Sequence, residues 1–150
     1  EFHYFKKFKI FKVYQIPYNI LDNRWNKILK EKDKAVIIYA RSIFLQGLLI
    51  TNKNNCPSKI RNEFNLVKKK LNFLKERLNR FDVKDLLFNY VNNNNKINKI
   101  VVGVENINQV KQIPFYLLRK NFTSNEIKFI QKKVPKVSNN FISPINWYKR

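Results

Sequence analysis

Residues 36–50 read VIIYARSIFLQGLLI, and the fold turns on how this stretch is divided. Its first five residues are apolar and mostly β-branched, the pattern of a short buried strand. Its end, from Ile43 onward, reads as the start of a buried helix. Between and within these apolar runs stand Arg41, Ser42 and Gln46. Polar groups in such a place need partners, because burying them unpaired costs free energy.

Two further segments repeat the pattern. Residues 13–16, VYQI, form a short strand stopped by Pro17, which cannot donate to a ladder. Residues 99–104, KIVVGV, form a third strand ending in Gly103, one of two glycines in the chain. Helices separate the strands. A helical or irregular stretch is expected from Asp22 to about Lys32, and a long helix from Ser58, whose apolar stripe is Ile60, Phe64, Val67, Leu71, Leu74 and Leu78. Asp82 is placed to cap a second long helix with Val83, Leu86, Leu87, Tyr90 and Val91 inward, ended by the asparagines at 92–95. Ile107, Val110 and Ile113 mark a further helix bounded or kinked at Pro114. Thr123 and Glu126 form a capping box ahead of Ile127, Ile130 and Val134. The tail SNNFISPINWYKR reads as irregular, with Trp147 as its anchor.

Strands alternating with helices predict an α/β fold with parallel strands, and near-continuous apolar strands predict a sheet covered on both faces. Three strands alone leave two unpaired edges, so the sequence reads as part of a larger sheet. In parallel α/β folds, ligands bind beyond the carboxyl ends of the strands. There the sequence sets Gln15 and Asn19 on the first strand, Arg41, Ser42 and Gln46 on the second, and Gly103, Glu105 and Asn106 on the third. Each also has a plain reading. Gln15 can be a satisfied interior amide, Arg41 and Ser42 can serve a helix N-terminus, and Gly103 can permit a tight turn.

Composition bounds the rest. With 150 residues the chain is one domain or part of one. Its 31 Lys and Arg against 10 Asp and Glu give a formal charge of +21, which suggests an anionic partner. Yet apart from KKK at 68–70 the lysines are scattered, and abundant Lys, Asn, Ile, Phe and Tyr fit a drift toward AT-rich codons. A single cysteine, Cys56, excludes an internal disulfide framework or a CxxC metal cluster, and is read as an inert thiol in a reducing, cytoplasmic setting. No apolar run is long enough to span a bilayer and no signal peptide is visible, so no membrane partner is expected. The first residue is Glu1, and the chain is read as a fragment of something longer.

The segments VYQIPYNILDNRW, ARSIFLQGLL and KIVVGVENINQV, in this order and followed by SPINW, resemble the carboxy-terminal part of an aldo/keto reductase, more narrowly the bacterial branch with an RSxFLQGLL motif. The resemblance implies that residues 1–150 are one partial (β/α)8 TIM-barrel domain. Residues 13–16 become strand six, 36–40 strand seven and 100–104 strand eight, with residues 1–11 the end of the preceding helix. It implies an NADP(H) or NAD(H) cofactor, a small carbonyl substrate, and the N-terminal half of the barrel as partner. Gln15 would bond the nicotinamide carboxamide and Arg41 would stack on the ring. Ser42, Phe44 and Gln46 would hold the pyrophosphate. Gly103, Val104, Glu105, Asn106 and Gln109 would surround the adenosine. Gln109 stands where relatives that prefer NADPH often carry an arginine, Glu105 would repel a 2′-phosphate and Lys111 would offset it, so NAD and NADP both stay open.

The family's catalytic aspartate, tyrosine, lysine and histidine belong to earlier strands, and His3 is no substitute, so no catalytic residue is assigned here. The expectation is that this chain alone reduces nothing, since protonating a carbonyl needs a positioned acid. Two other classes stand beside this reading. One is a basic nucleic-acid-binding module, resting on net charge and on YFKKFKIFKVY at 4–14; its aromatic step of three equally fits a surface helix, and no specific nucleic acid is expected. The other is a non-catalytic scaffold, a remnant of a reductase.

Overall fold

The two central apolar runs pair with each other, and the third joins only briefly. In the computed structural model, which describes residues 11–22 and 24–148, β1 (Val13–Pro17), β2 (Ile37–Arg41) and β3 (Lys99–Ile100) form a parallel sheet in the order β1-β2-β3. Register runs from Val13 opposite Ile37 to Pro17 opposite Arg41, and Tyr39 lies opposite Lys99. Beyond the strands, the amide of Tyr18 donates to the Arg41 carbonyl at 3.0 Å and that of Val101 to Ala40 at 2.8 Å.

The third strand is shorter than its sequence predicts. Expected over 99–104, it keeps only two residues. Asn98 extends the pairing at one end, with its amide on the Ile38 carbonyl and its side-chain oxygen receiving the Ile38 amide, both at 2.9 Å. Beyond Val101 the chain leaves the sheet, because β2 itself ends at Arg41 and offers no further backbone partner.

Parallel register puts Ile16, Ile38 and Ala40 on one face, and all three are buried. The opposite face carries Val13, Gln15, Ile37 and Arg41, and there Val13 keeps 53% and Ile37 39% of its surface. The expected two-sided cover is therefore corrected. Among the described residues, helices close one side of the sheet only.

Those helices follow their sequence signals. α1 (Asn26–Lys30) is a short piece between β1 and β2 that buries Leu29. α2 (Arg61–Arg77) follows a 3-10 turn at Ser58–Ile60 and buries Phe64, Val67, Leu71 and Leu74. α3 (Val83–Asn92) begins where Asp82 accepts the Asp85 amide at 2.7 Å, and is buried from Asp85 through Val91. A helix apolar around most of its circumference belongs in the interior. Its two interior polar residues bond their neighbours, although the Asn89 side-chain oxygen accepts no hydrogen bond among the described residues. Asp85 faces Arg80 at 3.5 Å and Arg119 at 3.4 Å, and Asn89 donates to Asp85 and to the Tyr116 carbonyl. These bonds tie α3 to α4 (Ile107–Leu117).

α4 runs through Pro114, and its Ile107 and Val110 are exposed while Tyr116 supplies its buried anchor. α5 (Ser124–Lys133) carries the expected capping box, Thr123 and Glu126 bonding each other reciprocally. The tail is more regular than expected. α6 (Asn139–Ile142) is capped by Ser138, which is itself held by Glu63 on α2, and a 3-10 turn follows at Pro144–Asn146. Trp147 is anchored as predicted, with Nε1 donating to the Phe141 carbonyl at 2.9 Å. Cys56 is buried and burial pushes its thiol pKa up, which matches an inert thiol. No helix among the described residues is long and apolar enough to cross a membrane. His3 and most of the aromatic and lysine stretch at 4–14 lie outside the described residues.

Candidate functional site: a cleft at the strand ends

Residues 42–51 decide what the strand ends hold. A helix start was expected there, but the segment is a chain of turns. Ser42, Leu45 and Gln46 have φ of 56°, 49° and 52°, and Gly47 has 79°. Left-handed backbone costs a residue with a side chain about 1–2 kcal/mol, so a helix cannot continue through 45–47. Leu45 and Leu48 are held by burial, and the turns close through bonds from Leu49 to Phe44 and from Thr51 to Gly47. Strained backbone of this kind persists only where surroundings enforce it, and it gathers at functional sites.

The loop is pinned from below by Asn19. That residue is buried; its side-chain oxygen receives the amides of Leu21 and Asp22, and its nitrogen reaches the Ser42 carbonyl at 3.4 Å. Asn19, noted at the end of the first strand, thus shapes the loop without facing a ligand. The turns leave the backbone amides of Phe44, Gln46 and Gly47 without a hydrogen-bond partner among the described residues. Successive amides turned outward by left-handed residues make an anion-binding concavity.

Nine of the ten predicted residues meet in one cleft of about 510 Å³: Gln15 from β1, Arg41 from β2, Ser42, Phe44 and Gln46 from the turns, and Gly103, Val104, Glu105 and Gln109 after β3. Its volume is within the range of small-molecule sites. Asn106 is not in the lining. Its side chain caps α4 by accepting the Gln109 amide at 3.1 Å, while Gln109 in return accepts the Glu105 amide at 2.9 Å. Arg41, whose Nη1 contacts Ser42 Oγ at 3.1 Å, and Glu105 are the charged residues of the wall.

Gly47 was missed as a site residue. Its signal was present in the sequence, since a chain with two glycines spends one in QGLL. At both Gly47 and Gly103 an added Cβ would meet nothing within 4 Å, so both backbones border open space. Of the two, only Gly47 has a left-handed φ. Ile43, Ile50, Val101 and Val102, also unassigned from sequence, complete the lining.

The cleft carries both polar and apolar groups: the Arg41 guanidinium, the Gln15 amide side chain and backbone amides of the turns beside an apolar wall from Phe44, Ile50 and Val102. The phenols of Tyr18, Tyr90 and Tyr116 are outside the lining, and burial pushes the pKa of each up.

No protein-family model matches this chain, and no curated protein does. Among solved structures it is similar to the aldo-keto reductase AKR11C1 from Bacillus halodurans. The match to the holo form has a TM-score of 0.72 at 19% identity and covers 95% of this chain but 49% of that one. The match to the apo form has a TM-score of 0.70 at 19% identity, over 95% of this chain and 50% of that one. The chain thus spans about half the length of the solved chains it matches, and its parallel sheet and helices have the fold of part of an α/β barrel like that reductase's.

Proposed function

We propose that the chain is the cofactor-binding, carboxy-terminal part of an aldo/keto reductase barrel, with β1, β2 and β3 as strands six, seven and eight. One observation carries this reading: three parallel strand ends deliver Gln15, then Arg41 and Ser42, then Gly103 to Glu105 into one cleft. The ligand is a nicotinamide dinucleotide, which when bound supplies or accepts hydride. Gln15 orients the carboxamide, and the Arg41 guanidinium lies over the ring and adds positive charge beside it. The amides of Phe44, Gln46 and Gly47, with the Ser42 hydroxyl, hold the pyrophosphate. Gln109 and Asn106 act by fixing the turn that carries Glu105.

The uncovered sheet face belongs against the remaining strands of the barrel. Its exposed Val13 and Ile37, with Val101 and Val104 beyond β3, are the apolar wall that such a half would bury. The solved chains matched here extend over about twice the covered length, which supports that partner. General acid catalysis would come from there, so the chain alone binds the dinucleotide and reduces nothing.

Calorimetric titration of the purified chain with NADH and NADPH, followed by addition of a simple aldehyde, tests both parts. Saturable binding that weakens in Ser42→Ala, without carbonyl-dependent loss of NAD(P)H absorbance, is the expected result. Carbonyl-dependent turnover by the chain alone, or no dinucleotide binding, overturns the corresponding part.

A further inference from the structure

The helix between the first two strands is too short to roof them. The five residues of α1 span about 7.5 Å, whereas the five-residue strands on either side run about 16 Å. A hollow of about 600 Å³ opens beside it, between α1, the end of α3 and α5. It shares no lining residue with the strand-end cleft, so the two are separate places.

The asparagine run that ends α3 supplies one wall. Asn93, Asn94 and Asn95 all line the hollow, and Asn26 on α1 with Gln131 on α5 bring the carboxamides around it to five. Asn94 is held in place, its nitrogen donating to the Tyr18 hydroxyl at 2.9 Å and its oxygen accepting the Lys96 amide at 3.0 Å. The side chains of Asn93 and Asn95 have no hydrogen-bond partner among the described residues. Tyr18 and Tyr90 are buried and stacked with ring centroids 6.4 Å apart, and the buried Leu29 adds an apolar floor. The charged residues of the lining are Lys30 and Lys96, both exposed and without an ion-pair partner among the described residues, and no carboxylate lines the hollow.

This chemistry is selective. A carboxamide sets donors and an acceptor side by side, so a ring of them suits a ligand rich in hydroxyls, which donate and accept alike. Two ammonium groups in a lining without carboxylates suit an anion. A helix C-terminus disfavours negative charge, which sends the anionic group toward the lysines and leaves the hydroxyls to the asparagines at the end of α3. The apolar floor covers the C–H face of a ring. We propose that this hollow binds a phosphorylated cyclic polyol, with its phosphate at Lys30 and Lys96 and its hydroxyls on Asn93 and Asn95. The asparagine run thereby does more than end a helix, and the site stands independently of the dinucleotide reading.

Calorimetric titration of the full chain with myo-inositol 1-phosphate and glucose 1-phosphate tests this, with myo-inositol, glucose and inorganic phosphate as controls. Neither ester carries a free carbonyl, so binding is read apart from any reduction. At least one ester is expected to bind saturably, and at least about tenfold more tightly than either of its parts, because both sets of contacts act together. Asn95→Ala and Lys30→Ala, exposed and on opposite walls, should each weaken that ester about five- to tenfold, the scale of one hydrogen bond, with the unfolding midpoint unchanged. Ser42→Ala, in the strand-end cleft, should leave ester binding as it is. Inorganic phosphate binding as tightly as the esters would reduce the hollow to two surface lysines and overturn the proposal. Esters that bind the parent chain and both hollow variants alike, that are lost in Ser42→Ala, or that do not bind at all would overturn it too.

Discussion

The two faces of the three-stranded sheet are made from alternate residues of the same strands, yet they differ in cover. On one, Ile38 and Ala40 are fully buried beneath the helices. On the other, Val13 and Ile37 remain open although they are equally apolar. Amino-acid type does not separate these positions; what lies across from them does. Because the period of a strand is two, one register sends half of each apolar run to each side. The sequence thus prepares two apolar faces, and the described chain provides cover for one.

This contrast sets the largest expected effect. Phe64, fully buried in α2, should cost about 3–5 kcal/mol when replaced by alanine. Ile37→Ala, on the open face, should stay within about 1 kcal/mol, since little apolar area is lost there. Urea unfolding of both variants measures the difference. Equal losses would mean that the open face is packed and that the comparison between faces is mistaken.

A smaller effect is expected where strained loop meets cleft. Gly47→Ala meets no neighbouring atom but forces a side chain onto a left-handed backbone, costing about 1–2 kcal/mol. It should also weaken dinucleotide binding, whereas Gly103→Ala should weaken binding without the same loss of stability. Thermal unfolding and titration of the two variants check the pair. Matching stability losses would remove the distinction between a glycine needed for conformation and one needed for space.

The smallest effect belongs to the cap of α5. The Thr123 amide and hydroxyl both bond the Glu126 carboxylate and hold its pKa below the ordinary value. A carboxylate with a lowered native pKa gives its full stabilisation above the unfolded value of about 4.3 and loses it as pH falls through the native one. Glu126→Gln should therefore flatten the acid limb of the stability curve, by less than about 1 kcal/mol for a partly exposed group. An unchanged acid limb would show that the box contributes no pH dependence.

What could be read from residues was local. The stripe from Ile60 to Leu74 and the caps at Asp82 and Thr123 depend on neighbours within four positions, and each forms as expected. The polar residues at the strand ends were also legible, because alternation of strands and helices places them at one edge. The turns at 42–51 were not. The apolar spacing of FLQGLLI suits a helix, and nothing in the side chains of Leu45 or Gln46 demands a positive φ. Nor could the sequence say how Asn106 is used: an asparagine before a helix can face a ligand, cap the helix or do both, and here its side chain caps.

By itself, the order of residues determined the helices, the strand cores and the parallel α/β class, since these follow from periodicity and capping. Tertiary structure alone decided the left-handed turns, the one-sided cover of the sheet and the cleft that gathers Gln15, Arg41 and Gly103. Each of those depends on groups far apart in sequence, such as Asn19 with Ser42 or Gln15 with Gly103, which no local pattern brings together.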